Sequence, residues 1–336
     1  MLPPVLVLAS VAIGLVPAAT GLAAARWPCR SPAAAIVLWQ AMGLGWGLAA
    51  VGTLAALGTD RGDSGVAGDA LTVLARAVHD LVGEATLPGL IAALRLLCLT
   101  ASAALLALLC WVLVAASGAV LRDRRRHRAL LSLLAHGDPK VPGALVVDHP
   151  AAAAYCVPGL RSRIVISAGA IDLLDQAELA AVLAHERAHA RERHDLVLLP
   201  FTALCRAFPW SGSAQRAYGA VALLIEMLAD DHALRHRPAR ELVTALIRVG
   251  AAGPAGAPAG ALAVAGRHPA TPDRGPATPE RHPATSDPRP AESGVCARVE
   301  RLLAPAPGLS LPALTLVSGA AAALVVVPVA LLLFPV

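Results

Sequence analysis

Long apolar runs without a single charged residue are separated by polar stretches along this chain. Each run reaches the roughly 20 residues that a helix needs to cross the hydrocarbon core of a bilayer. The pattern predicts four membrane spans, at residues 2–25, 33–57, 96–121 and 312–336. Residues 1–121 would then form a membrane region with three spans and a short external loop at 58–95.

The placement of charged residues predicts how the spans are oriented, because short cytoplasmic loops retain Lys and Arg. Arg26 and Arg30 lie between the first two spans, the loop after the second span is mainly acidic, and an arginine run from Arg122 to Arg128 follows the third. We therefore expect an external N-terminus and cytoplasmic residues 122–311. The alternative, cleavage of the first span as a signal peptide near Ala23, is disfavoured because no basic segment precedes it.

Composition supports a membrane protein and narrows its chemistry. The 336 residues are 57% hydrophobic and only 3% aromatic, which is too apolar for an ordinary soluble domain. The six cysteines show no close pairing, so no disulfide framework is expected. The net charge of +5 comes with arginines beside spans, so direct nucleic-acid binding is not expected.

Between the third and fourth spans the pattern changes to that of a mixed domain over residues 122–250. Short β-branched runs predict strands at Leu145–Asp148 and Arg163–Ser167. A helix is expected to start at Asp175, which can accept from free backbone amides, and to continue through His194. A second helix is expected from Ser213 to His236, stopped by Pro238.

Residues 251–294 are rich in Pro, Ala and Gly and contain near-repeats such as RHPATPD and RHPATSD. This composition predicts a disordered linker, because it has too few apolar side chains to offset the entropy of ordering. His268 and His282 lie in it and are interpreted as solvated. A juxtamembrane helix at 295–311 would lead into the fourth span.

The candidate chemistry lies in the sequence His185-Glu186-Arg187-Ala188-His189. Residues four apart share one face of a helix, so both imidazoles can bind one zinc ion. Zinc acidifies a water molecule, and Glu186 is the candidate general base that removes its proton during attack on a peptide carbonyl. One zinc ion is the predicted cofactor.

A third ligand is sought on the second helix, where Glu226 and Asp230 are again four residues apart. Glu226 would complete the site, and Asp230 would hydrogen-bond the outer nitrogen of a ligating histidine. Asp195 is the alternative ligand by spacing, although Glu192 stands where that arrangement needs a glycine. His232 and His236 are candidate stabilisers of the oxyanion.

The stretch PGLRSRIVISAGAIDLLDQAELAAVLAHERAHARERHDL, followed by EMLADDHAL, resembles the BlaR/MecR family of membrane metallopeptidases. The resemblance implies an α-helical integral membrane protein of four spans with a cytoplasmic α+β zincin-like peptidase domain. It also implies zinc ligands at His185, His189 and Glu226, with Asp230 behind them. RIVIS would be the edge strand that pairs with an extended substrate.

By this resemblance the chain would hydrolyse a cytoplasmic protein, with a winged-helix repressor as the candidate, in signal-responsive regulation at the cell membrane. The chain departs from the best-studied members because its single lysine, Lys140, belongs to no Ser-x-x-Lys motif. The alternatives are an HtpX-type housekeeping protease and a non-catalytic zinc-containing receptor. Besides the substrate, the expected partners are the lipid bilayer and a second copy of the chain in a homodimer.

Overall fold

The computed structural model describes residues 4–59, 87–139, 141–157, 162–252 and 290–334. It divides into two compact units, residues 1–115 with 309–336 and residues 116–308. Among the described residues the α-helices are, in chain order, α1 (Pro4–Ala24), α2 (Pro32–Gly58), α3 (Leu87–Leu134), α4 (Ala168–Leu173), α5 (Gln176–Glu192), α6 (His194–Ala207), α7 (Gly212–Leu234), α8 (Ala239–Ala251), α9 (Pro290–Leu303) and α10 (Leu311–Leu333). The strands are β1 (Ala135–Gly137), β2 (Ala144–Val147), β3 (Ala154–Val157) and β4 (Arg163–Ser167).

The first unit is built from apolar helices, with α2 packed against both α1 and α10. A glycine permits close approach here, because a Cβ atom at Gly45 of α2 would lie 2.6 Å from the carbonyl oxygen of Leu324 in α10. Helices α1, α2, α3 and α10 are long and apolar enough to cross a membrane. Each predicted span falls largely within one of them.

The second unit contains a four-stranded mixed sheet in the order β1-β2-β4-β3. β2 and β4 are parallel, whereas β1 and β3 run antiparallel to their neighbours. β2 and β4 confirm the two predicted strands. The prediction that Arg163–Ser167 lies at the edge is wrong, because β4 pairs on both sides and β3 forms that edge. Val165 and Ile166 face opposite sides of β4 and are both 0% exposed, as an interior strand requires.

Helix α5 begins where the sequence predicts. The Asp175 carboxylate accepts hydrogen bonds from the backbone N–H groups of Ala177 and Glu178, at 2.9 Å each, and Glu178 accepts one in return from the Asp175 N–H. Its predicted continuation through His194 is wrong, because Arg193 adopts a left-handed conformation with φ 50° and ends the helix at Glu192. The chain then turns directly into α6.

Helix α7 confirms the second predicted helix, with Ser211 rather than Ser213 as its cap. Residues 253–289, most of the predicted linker, lie outside the described residues. Beyond them α9 packs against α8 and α7, and Leu302 of α9 joins a buried cluster with Leu242 and Leu246 of α8. The segment after the linker is therefore part of the second unit.

Candidate metal centre

Two imidazoles on α5 point at one location. His185 and His189 are one helical turn apart, and their Nε2 atoms are separated by 3.1 Å. The His185 side chain is 1% exposed. Two ring nitrogens this close cannot both carry a proton toward the other, so at least one of them presents a lone pair to its neighbour. A cation bound by both nitrogens would take the place of the shared proton.

Helix α7 brings a carboxylate to the same location. Glu226 Oε2 lies 3.3 Å from His185 Nε2, and Glu226 Oε1 lies 3.6 Å from His189 Nε2. One ligand atom from each of the three residues lies within 4.8 Å of the other two. The structure therefore brings together the three residues that the sequence predicted as ligands.

The spacing of these atoms tests whether zinc would fit. Tetrahedral zinc with ligands at about 2.0–2.2 Å places its ligand atoms roughly 3.3–3.6 Å apart. The two Nε2 atoms are 3.1 Å apart, and Glu226 approaches the two rings with different oxygens, Oε2 at 3.3 Å from His185 and Oε1 at 3.6 Å from His189. Among the described residues, the buried Oε2 of Glu226 has no hydrogen bond of normal geometry, although Arg298 Nη1 is 3.0 Å away. The donor set and the spacing fit a zinc ion with three protein ligands and one open position.

The protonation preferences of these groups follow from burial and charge. Burial lowers the pKa of His189 to about 3. Burial also lowers the pKa of His185, but its contacts with Asp230 and Glu226 outweigh burial and raise the pKa to about 9. Burial alone would raise the pKa of Glu226, yet Arg298 and His185 hold that pKa below its usual range. Glu226 is therefore an anion at neutral pH, as a zinc ligand must be.

Behind His185 lie a carboxylate and an arginine. Asp230, 0% exposed and one turn after Glu226 on α7, places Oδ1 within 2.9 Å of His185 Nδ1. Arg298 of α9 donates from Nε to Asp230 Oδ2 at 2.8 Å and from Nη2 to Oδ1 at 2.7 Å. A carboxylate this close to the outer nitrogen favours the ring orientation in which Nε2 faces the ligand site, although His185 Nδ1 makes no hydrogen bond of normal geometry among the described residues.

Behind His189 the arrangement is different. Its Nδ1 lies 3.0 Å from Nδ1 of His194, and His194 Nε2 lies 3.0 Å from Glu192 Oε2. The other oxygen of Glu192 contacts His232 Nδ1. Burial lowers the pKa of His194, so this ring is neutral at pH 7 and can accept on one nitrogen while donating from the other.

Glu186 lies between the ligand site and the sheet. Its carboxylate accepts a hydrogen bond from the backbone N–H of Cys156 in β3, and the residue is 4% exposed. Burial is the main cause that raises the pKa of Glu186, to about 7. A carboxylate with a pKa near neutrality can both take up and release a proton, which is what acid–base catalysis requires.

The remaining predicted site residues are placed elsewhere. Asp195 forms an ion pair with Arg124 of α3 and is not among the grouped ligands. The turn at Arg193 does redirect the chain, as the alternative arrangement required, but it brings His194 rather than Asp195 to the site. His232 contacts Glu192, and His236 lies exposed in the turn after α7.

Sequence reasoning missed Arg298 and the role of His194. Arg298 could have been noticed because it lies four residues before Leu302, on the apolar face of a short amphipathic helix, where an arginine needs a partner. His194 offered a weaker signal, since its approach to His189 depends on a helix break that no glycine or proline marks.

An HExxH helix on a mixed sheet, with a carboxylate from a following helix beside it, is the arrangement typical of a metallopeptidase domain. The family model described as peptidase family M48 matches residues 120–274 of the chain. This match supports a zinc metallopeptidase family and hence a hydrolase of peptide bonds. No curated protein and no solved structure gives a significant match.

Proposed function

We propose that the chain is a membrane-bound zinc metalloendopeptidase that hydrolyses a cytoplasmic protein, with a transcriptional repressor as the candidate substrate. The observation that carries the proposal is the placement of three ligand atoms around one point, beside a buried carboxylate. A purely structural zinc site closes all four positions with protein ligands and has no use for such a carboxylate. The receptor alternative is therefore disfavoured.

The three ligands would hold the ion, and other residues would do the proton chemistry. Zinc bound by His185, His189 and Glu226 would lower the pKa of a water molecule and polarise the peptide carbonyl. Glu186 takes the proton from the attacking water and returns it to the leaving amine. Burial, which raises the pKa of Glu186, favours its taking up the proton between the two steps. Asp230 keeps His185 oriented throughout.

Substrate binding is expected along β3, the edge strand whose Cys156 N–H contacts Glu186. An extended peptide can add to a sheet edge through backbone hydrogen bonds, which would place its carbonyl groups beside the metal ligands. Backbone pairing accepts many sequences. This feature also favours the second candidate, an HtpX-type protease that removes damaged membrane proteins.

The membrane part of the proposal rests on exposed apolar side chains. Trp111 of α3 is 70% exposed, and Leu316 and Val326 of α10 are 74% and 61% exposed. Such residues suit contact with lipid rather than water. Together with the arginine placement they support a multi-pass protein of the cell membrane with a cytoplasmic peptidase domain and an external N-terminus.

The central test separates zinc binding from catalysis. Glu186→Gln should retain zinc but lower peptide cleavage by at least ~10²-fold, because general acid–base catalysis is lost. His185→Ala and Glu226→Ala should lose both zinc and activity. Zinc content by atomic emission and cleavage of a casein or peptide library would be measured on the full chain in detergent. Retention of zinc in Glu226→Ala with loss in Asp195→Ala would contradict the ligand assignment.

The substrate is tested in cells by comparing the proteome of wild type with that of Glu186→Gln. One stabilised cytoplasmic protein would support the regulatory function. Broad accumulation of damaged membrane proteins would support the housekeeping alternative. An unchanged proteome, together with zinc binding and no cleavage in vitro, would favour the receptor.

A further inference from the structure

Arg298 is a buried arginine that takes no part in activating the water molecule or in protonating the leaving amine. Its side chain is 3% exposed, and it lies on α9, a helix that follows the undescribed residues 253–289. Burying a guanidinium costs several kcal/mol unless charge and hydrogen bonding compensate. Its contacts therefore indicate what it does.

The guanidinium faces two of the three carboxylates of α7, those of Glu226 and Asp230. It donates two hydrogen bonds to Asp230, from Nε to Oδ2 at 2.8 Å and from Nη2 to Oδ1 at 2.7 Å. Its remaining nitrogen, Nη1, lies 3.0 Å from Glu226 Oε2. A planar fork can bind one carboxylate with two donors and still direct a third at a neighbour, which a lysine ammonium cannot do in fixed geometry.

These contacts reach the metal ligands by two short routes. Asp230 Oδ1, which Arg298 fixes, is the atom 2.9 Å from His185 Nδ1. Glu226 is itself one of the proposed ligands, and Arg298 Nη1 lies 3.0 Å from its Oε2. Without Arg298, the carboxylates of Glu226 and Asp230 on one helical face would repel each other, and neither would be held in its present place.

Docking of α9 alone does not explain Arg298, because other residues perform that task. Arg301, one turn further along α9, pairs with Asp231 at 2.8 Å near the surface of the domain. Leu302 packs into the apolar cluster with α8. An apolar residue at position 298 would dock the helix at a lower desolvation cost.

We propose that Arg298 is a positioning residue of the metal centre, so that the centre is complete only while α9 is docked on α7. The inference rests on the proposed metallopeptidase function. Residues 304–310 join α9 to α10, the fourth candidate span.

The test compares two arginines on the same helix in the full chain in detergent. Arg298→Gln should lower zinc affinity by ~10–100-fold, as loss of a group behind a ligand typically does. Arg301→Gln, the matched control, should leave zinc affinity within about twofold, because the Arg301 side chain pairs with Asp231 and makes no ion pair with Glu226 or Asp230 among the described residues. Affinity would be measured by competition with a fluorescent zinc chelator, and folding by thermal unfolding.

A kinetic readout separates positioning from packing. At saturating zinc, Arg298→Gln should lower kcat and leave KM nearly unchanged, because Arg298 does not touch substrate. Arg298→Lys should recover part of the loss, since it restores the charge but not the fork. Asp230→Asn combined with Arg298→Gln should cost less than the sum of the single changes, because the two residues act as one unit.

Equal and small effects of Arg298→Gln and Arg301→Gln on zinc affinity would overturn the inference. If Arg298→Gln does not fold, Arg298→Lys decides, and wild-type affinity and kcat in that variant would also overturn it. Failure of the wild-type chain to bind zinc would instead contradict the proposed function. The two failures are therefore distinguishable.

Discussion

Each candidate metal ligand is held from behind by a different kind of group. His185 contacts the carboxylate of Asp230, His189 contacts the imidazole of His194, and Glu226 lies beside the guanidinium of Arg298. An ionised carboxylate makes an imidazole more basic than a neutral acceptor does. His185 should therefore be the stronger of the two nitrogen ligands.

His194 matters because it fixes the ring of His189. When His189 binds zinc through Nε2, its Nδ1–H can donate to His194 Nδ1, and His194 Nε2–H can donate to Glu192. His194→Ala should lower zinc affinity by about tenfold, by loss of this support. His236→Ala, which removes an exposed histidine after α7, serves as control and should change nothing in the same chelator competition. Equal affinities in the two variants would contradict this role.

At the scale of elements, the break between α5 and α6 shapes the site. On a continuous helix a residue five positions after His189 would lie more than a third of a turn around the axis from it and about 7.5 Å along it. The left-handed residue Arg193 ends α5, and the chain returns so that His194 lies 3.0 Å from His189. One backbone conformation thus supplies the acceptor behind a ligand.

This conformation predicts a stabilising substitution. A residue other than glycine pays about 1–2 kcal/mol in the left-handed region, and glycine relieves that cost. Arg193→Gly should raise the free energy of unfolding by roughly 0.5–1 kcal/mol. The midpoint of thermal unfolding should rise with it. Arg191→Gly, two residues earlier within α5, should lower that free energy by about 1 kcal/mol. A loss of stability in Arg193→Gly would show that the arginine side chain outweighs the backbone.

The elements that carry the candidate ligands could be predicted from the sequence, and so could Asp230 behind His185. The groups behind the other two ligands, His194 and Arg298, could not. Periodicity and the Asp175 cap located α5, and the Glu226–Asp230 spacing located the useful face of α7. Strand β3 escaped notice because its sequence, AYCV, has a single β-branched residue and no clear alternation of apolar and polar residues. The turn at Arg193 carries no glycine, so nothing local marks it.

At the scale of the whole molecule, candidate spans lie on both sides of the peptidase domain in the chain. Within that domain, Arg298 contacts Asp230, a residue 68 positions earlier in the chain. No helical or strand periodicity reports on such a separation, and a composition break lies between the two residues. This separation is the physical reason why Arg298, the group beside Glu226, could not be predicted from the sequence.

The proposed topology gives a test in cells. A fluorescent protein inserted within residues 253–289 should fluoresce and alkaline phosphatase at the same place should be inactive, because this segment is expected in the cytoplasm. The matched insertion within residues 60–86, expected outside, should give the opposite pair of signals. Phosphatase activity from the 253–289 insertion would contradict the orientation.

Because α9 supplies Arg298 to the candidate metal centre, it determines where a recombinant fragment of the peptidase domain should end. A recombinant fragment that stops after α8 would keep both histidines of the motif and its glutamate, together with Glu226 and Asp230 of α7. It would lack the guanidinium of Arg298 that contacts these two acids. Such a truncation is expected to purify with little metal and to be mistaken for an inactive relative. A fragment suited to crystallisation should instead span residues 116–308, with any shortening confined to the middle of the 253–289 segment.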